Sequence, residues 1–67
     1  MLIYPNLIGE MARKGVTKAD IAKATNRSVS AISARFTGKR NWTVDEAFVI
    51  REALETDIPV EVLFRRE

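Results

Sequence analysis

The stretch Val16-Thr17-Lys18-Ala19-Asp20-Ile21-Ala22-Lys23-Ala24-Thr25-Asn26-Arg27-Ser28-Val29-Ser30-Ala31-Ile32 decides how this chain folds. It holds two helix starts. Thr17 is an N-cap, and Asp20 three residues later gives a capping box with Asp in place of the usual Glu or Gln. Val16 and Ile21 occupy the two positions of a hydrophobic staple. Ser28 caps a second start. Between them, Asn26 is among the few non-glycine residues that tolerate a positive φ. The reading is two helices, about Lys18–Thr25 and about Val29–Thr37, joined by a tight turn at Asn26-Arg27-Ser28. Ala22 lies where the helices must approach closely. Ile32 and Phe36 share one face, and Gly38 ends the second helix in a left-handed conformation.

Working outward, three more helices appear. Upstream, Pro5 suits the first turn of a helix running to Lys14, with Tyr4, Leu7, Ile8 and Met11 as its apolar stripe and Gly15 as its cap. Downstream, Thr43 and Glu46 form a regular capping box, with a Trp42-to-Ala47 staple, for a helix over about Val44–Leu54. A last helix starts near Pro59 and carries Val60, Val62, Leu63 and Phe64. Met1–Ile3 fit either a short strand or an ordered tail. Helices of two to three turns do not persist alone in water, so the five must share a core. The expected core is Leu7, Ile8, Met11, Val16, Ile21, Ala22, Ile32, Phe36, Ala47, Ile50, Leu54 and Leu63. The expected architecture is all-α, one domain over residues 1–67.

The chain has 67 residues, 46% of them hydrophobic and 30% charged. That is a single globular domain with no room for a dinucleotide-binding fold. There is no cysteine and no histidine. Disulfides, thiolate or imidazole metal sites and imidazole catalysis are thereby excluded. We expect neither a membrane span nor a signal peptide, and a cytoplasmic protein.

The net charge of +2 hides a strong segregation. Over residues 11–41, Arg13, Lys14, Lys18, Lys23, Arg27, Arg35, Lys39 and Arg40 stand against Asp20 alone, a net of +7. Over residues 42–67, Arg51, Arg65 and Arg66 stand against seven carboxylates, a net of −4. Such a dipolar chain has one face suited to polyanions.

Two short helices across a tight turn make a helix-turn-helix pattern, which often places its second helix in the major groove. The run Val16-Thr17-Lys18-Ala19-Asp20-Ile21-Ala22, then Ser28, Ile32-Ser33, Gly38-Lys39 and Trp42-Thr43-Val44-Asp45-Glu46-Ala47, resembles the phage-repressor and Cro type (lambda-repressor-like) of helix-turn-helix regulators. The resemblance spans residues 4–64 in helix layout and 16–54 in motif. It implies a five-helix DNA-binding domain with the helix-turn-helix in helices two and three. It also implies a function as a small bacterial, phage or prophage transcription regulator, a Cro-like repressor acting on double-stranded operator DNA as a homodimer. No cofactor and no small-molecule substrate are expected.

The chain departs from the family pattern at three places. Thr25-Asn26-Arg27 replaces the usual apolar-Gly-apolar turn. Arg51 falls inside an apolar stripe, where its stem would cover the core edge while the guanidinium reaches water or a carboxylate. The third place is the base-reading set implied by the resemblance: Val29, Ser30, Ser33 and Ala34, with Arg35 as one longer reach. These residues are small and lack bidentate donors other than Arg35, so readout should be weak or T-rich. The phosphate set is richer: Thr17 and Lys18 at a helix N-terminus, Lys23, Arg27, and the loop Thr37, Gly38, Lys39, Arg40 and Asn41.

An enzyme is not expected. The surface acids have no partner base, and Ser28, Ser30 and Ser33 have no histidine to activate them. The other reading is a protein-interaction module on the same scaffold, a partner-binding regulator or antitoxin. Apolar residues beyond the needs of a small core, Phe48, Val49, Ile58, Val60, Val62 and Phe64, are the expected dimer contact, although Phe48, Ile58 and Phe64 could instead complete the monomer core.

Overall fold

Pro5, with no N–H to leave unsatisfied, opens the first helix of a computed structural model that describes residues 3–67. Five helices follow in order: α1 (Pro5–Lys14), α2 (Lys18–Thr25), α3 (Val29–Phe36), α4 (Val44–Ala53) and α5 (Val60–Leu63). No strand occurs among the described residues. Met1 and Leu2, part of the segment read as a strand or tail, lie outside the described residues. Ile3 packs against the core, and its carbonyl accepts the Glu67 N–H at 3.0 Å.

The local signals act as expected. Gly15 closes α1 at φ 68°. Asn26 closes α2 at φ 57°, and the Asn26 and Arg27 N–H groups return to the Lys23 and Ala22 carbonyls. α3 ends one residue earlier than expected. Thr37 caps it in right-handed geometry, and Gly38 follows at φ 85°. Glu55, just past α4, also sits in the left-handed region at φ 51°, a conformation that disfavours a side chain and that no local residue signal announces.

α2 packs on α3 and α4, while α5 packs on α4 and α1. Leu7, Ile21, Ile32, Ile50, Leu54 and Leu63 are the fully buried centre. Each such side chain contributes roughly 1.5–3 kcal/mol by leaving water. Tyr4, absent from the expected core, is buried, whereas Ile8 and Val16 pack only partly against it. Tyr4 belongs inside because Trp42 stands over it: Trp42 makes edge-on contacts with Tyr4, Phe36 and Phe64 at centroid distances of 6.3, 5.3 and 5.5 Å. This aromatic cluster ties the start of α1, the end of α3 and the end of α5 to the loop before α4.

Candidate nucleic-acid interface

The cap at Ser28, whose Oγ accepts the Ala31 N–H at 3.1 Å, aims the first turn of α3 outward. Val29 and Ser30 are exposed, and Ser33 and Ala34 are half-buried further along. Ser30, Ala34 and Arg35 line one depression of about 440 Å³ together with Ser28, Ala31 and Arg40. The loop therefore brings Arg40 to the flank of α3. The side chains along this flank are short, so a partner can approach the helix backbone closely.

Arg35 departs from its expected role. Its side chain is only 13% exposed. Nε donates to Glu46 Oε1 at 3.0 Å, and a terminal nitrogen donates to the Ala31 carbonyl at 3.0 Å. A guanidinium held this way braces α3 against α4 and does not extend to a base. Arg27 is tied to the same acid, donating from Nε to Glu46 Oε2 at 3.1 Å, yet its side chain remains half exposed. Glu46 thus joins the α2–α3 turn, α3 and its own N-cap, where Oε1 also accepts the Thr43 N–H at 2.9 Å. Burial alone would raise the Glu46 carboxyl. The Thr43 N–H and the Arg35 guanidinium outweigh it and hold the group below the usual glutamate range.

The expected phosphate residues are exposed, except for the half-buried Gly38. Lys18 Nζ lies 5.2 Å from the Phe36 ring centre, which sets the start of α2 beside the end of α3 and the loop after it. The start of α2 is less open than expected. Asp20 Oδ2 accepts the Thr17 N–H at 2.9 Å and the Thr17 hydroxyl at 3.0 Å. The same Thr17 groups hold the Asp20 carboxyl below its usual range, the backbone N–H more than the hydroxyl. The first-turn N–H groups of Lys18 and Ala19 are what the helix leaves for an outside acceptor. The loop backbone is turned inward as well. Gly38 N–H bonds to the Arg35 carbonyl, and the Lys39 and Arg40 N–H groups both bond to that of Ala34, at 3.0–3.3 Å. The loop backbone expected to approach an anion closely thus has these N–H groups already bonded, while the Lys39, Arg40 and Asn41 side chains are exposed. Lys23 stands exposed on α2.

The expected dimer residues do not share one role. Ile58 and Phe64 pack against the core, the outcome weighed for them above. Val62 lies against α1, where Asn6 Nδ2 donates to its carbonyl at 2.8 Å. Val60 and Phe64 line a groove of about 300 Å³ with Tyr4, Trp42 and Val44. Phe48 and Val49 remain exposed on α4, joined by Val44, which is 71% exposed and absent from the expected set. Arg51 is half-buried, and its guanidinium bonds to the Ile58 and Asp57 carbonyls at 2.6 and 3.3 Å and forms no ion pair with a carboxylate among the described residues. It closes the loop between α4 and α5.

Two functional placements escape sequence reasoning. Glu46 belongs by position to the acidic block yet neutralises two arginines of the basic one. Arg66, also counted in the acidic block, lies against Gly38. The capping box announces Glu46 as a helix start but not its two arginines, and no local signal announces the Arg66 placement. Among the described residues no cluster of acids forms a metal site, and no helix is long and apolar enough to cross a membrane. Comparison with known proteins finds no matching family model, no matching curated protein and no matching solved structure.

Proposed function

We propose that this chain is a DNA-binding transcription regulator of the small repressor type, in which α2 and α3 act as the helix-turn-helix and α3 enters the major groove. The supporting observation is the grouping of exposed cations around a helix flank of short side chains. Lys39 and Arg40 follow α3, Lys18 stands across Phe36, and Arg40 shares a depression with Ser30 and Ala34. Cations placed around an accessible helix hold a phosphate backbone while the helix meets the base edges. Val29 and Ala34 would pack on thymine methyls, and Ser30 and Ser33 would bond to several bases. With Arg35 committed to Glu46, most of the affinity comes from phosphates.

In this reading the protein is not an enzyme. It acts in the cytoplasm of a bacterial or phage-infected cell, without cofactor or small-molecule substrate, and pairs as a homodimer on a palindromic site. The exposed Val44, Phe48 and Val49 face on α4 supplies the apolar surface for pairing. That same face supports the second reading, a protein-interaction module or antitoxin. The test is selection of bound duplexes from a random pool followed by sequencing. An enriched palindrome establishes an operator-binding dimer. Binding with no enriched sequence reduces the protein to a backbone binder, and absence of binding at low salt favours the protein-partner reading.

A further inference from the structure

Arg66 lies beyond α5, far in sequence from the basic block, yet its terminal guanidinium nitrogen is 2.6 Å from where a Cβ on Gly38 would stand. A Cβ at that place would displace the guanidinium. Its Cζ is 5.7 Å from the ring centre of Tyr4, itself 4% exposed and held in the aromatic cluster. The backbone is pinned one residue on, where the Glu67 N–H bonds to the Ile3 carbonyl. Contact with a ring face uses none of the five N–H donors of a guanidinium. No carboxylate lies within ion-pair distance of Arg66 among the described residues, in contrast to Arg13, Arg27 and Arg35. The side chain is exposed, positioned and unneutralised, beside the loop that carries Lys39 and Arg40.

We infer that Arg66 is a phosphate-binding residue of the DNA interface, delivered to the loop after α3 by the segment that follows α5. The inference rests on the DNA-binding reading above. It changes the composition of the interface: Arg35 leaves it, and Arg66 enters from the opposite end of the chain. Gly38 then serves as the seat of a guanidinium, in addition to ending α3. A planar guanidinium held over a ring is preorganised to meet phosphate oxygens with two parallel donors.

The test compares the full chain with Arg66→Gln and Arg66→Lys by fluorescence anisotropy on labelled random-sequence duplexes across a range of salt. Loss of one phosphate contact flattens the slope of log K against log salt by about 0.9. Arg66→Gln should show that loss, and Arg66→Lys should retain the wild-type slope. Phenylglyoxal labelling of the unmodified chain, read by mass spectrometry, gives the same answer without a variant that could misfold: saturating duplex should protect Arg66 and leave Arg13 reactive. A wild-type slope in folded Arg66→Gln, or an unprotected Arg66 on saturated DNA, overturns the assignment while leaving DNA binding intact. Failure of the unmodified chain to bind any duplex removes the reading on which it rests.

Discussion

The chain begins two helices with the same device and puts the two copies to different use. At α2, the Thr17 N–H bonds to Asp20 and the Asp20 N–H bonds back to the Thr17 hydroxyl, at 2.9 and 3.2 Å. At α4, Thr43 and Glu46 repeat this at 2.9 and 3.1 Å. Locally they are equivalent. Asp20 nevertheless lies at the surface, whereas Glu46 is 5% exposed and accepts two further guanidinium bonds. Each acid serves its cap with one oxygen and keeps the other free of the cap, but only Glu46 has arginines beside it: Oε1 also accepts from Arg35 and Oε2 from Arg27. A capping box therefore announces where a helix starts. Whether its acid also becomes a tertiary anchor depends on which cations the fold brings to it.

The strongest way to break the comparison is to delete both acids separately. Glu46→Ala leaves Arg35 buried without its anion, a change that costs about 3–5 kcal/mol. A domain of this size has a total stability of roughly 3–10 kcal/mol, so Glu46→Ala should be largely unfolded in mild urea. Asp20→Ala loses only the reciprocal half of a surface capping box, whose Thr17 cap survives, and should remain folded under the same conditions. Equal shifts in the urea midpoint would show that Glu46 acts only as a cap.

The arginines sharpen the same point at a smaller magnitude. Arg35 is 13% exposed and Arg27 49%. Arg35→Ala should cost roughly 1.5–3 kcal/mol, as expected for a largely buried charge-assisted bond, and Arg27→Ala under about 1 kcal/mol because solvent screens it. Reversal of that order by chemical denaturation would contradict the bracing role assigned to Arg35.

Acid provides a third comparison. The Glu46 carboxyl is held below its ordinary value of 4.5, so its contribution to stability is fully present above that pH and is lost as pH falls through the lower folded value. Thermal midpoints followed from neutrality into that range should drop for the unmodified chain and drop less for Glu46→Gln. Parallel curves would remove Glu46 from the acid response. The smallest expected effect is Asp20→Glu, which makes the first box resemble the second. With no buried cation to reach and the capping box kept, it should leave the midpoint almost unchanged.

The helices were legible because each start and stop has a local cause. Pro5, Thr17, Ser28 and Thr43 open them, and Gly15 and Asn26 close them, through bonds between near neighbours. Most of the core followed from helical spacing; Tyr4 lay on the α1 stripe but was not counted as core, and its burial is completed by Trp42 arriving from a distant loop. The exposed character of the basic loop and of the α3 flank was legible too. The fate of individual charges was not. Arg35, Glu46 and Arg66 are assigned by tertiary neighbours that no spacing rule specifies, and Arg51 found carbonyls where water or a carboxylate had been expected. The inward turn of the Gly38, Lys39 and Arg40 N–H groups likewise follows from how α3 ends, one residue before the point its sequence suggests.

The most direct measurement is the salt dependence of duplex binding by the unmodified chain beside Lys39→Ala combined with Arg40→Ala. If five or six phosphates are neutralised, log K should fall with log salt at a slope of about −4.5 to −5.5. The double variant should bind every sequence more weakly, with the slope flattened by about 1.8. An unchanged slope in the double variant, or no binding by the unmodified chain at low salt, would contradict a DNA interface built on the loop after α3.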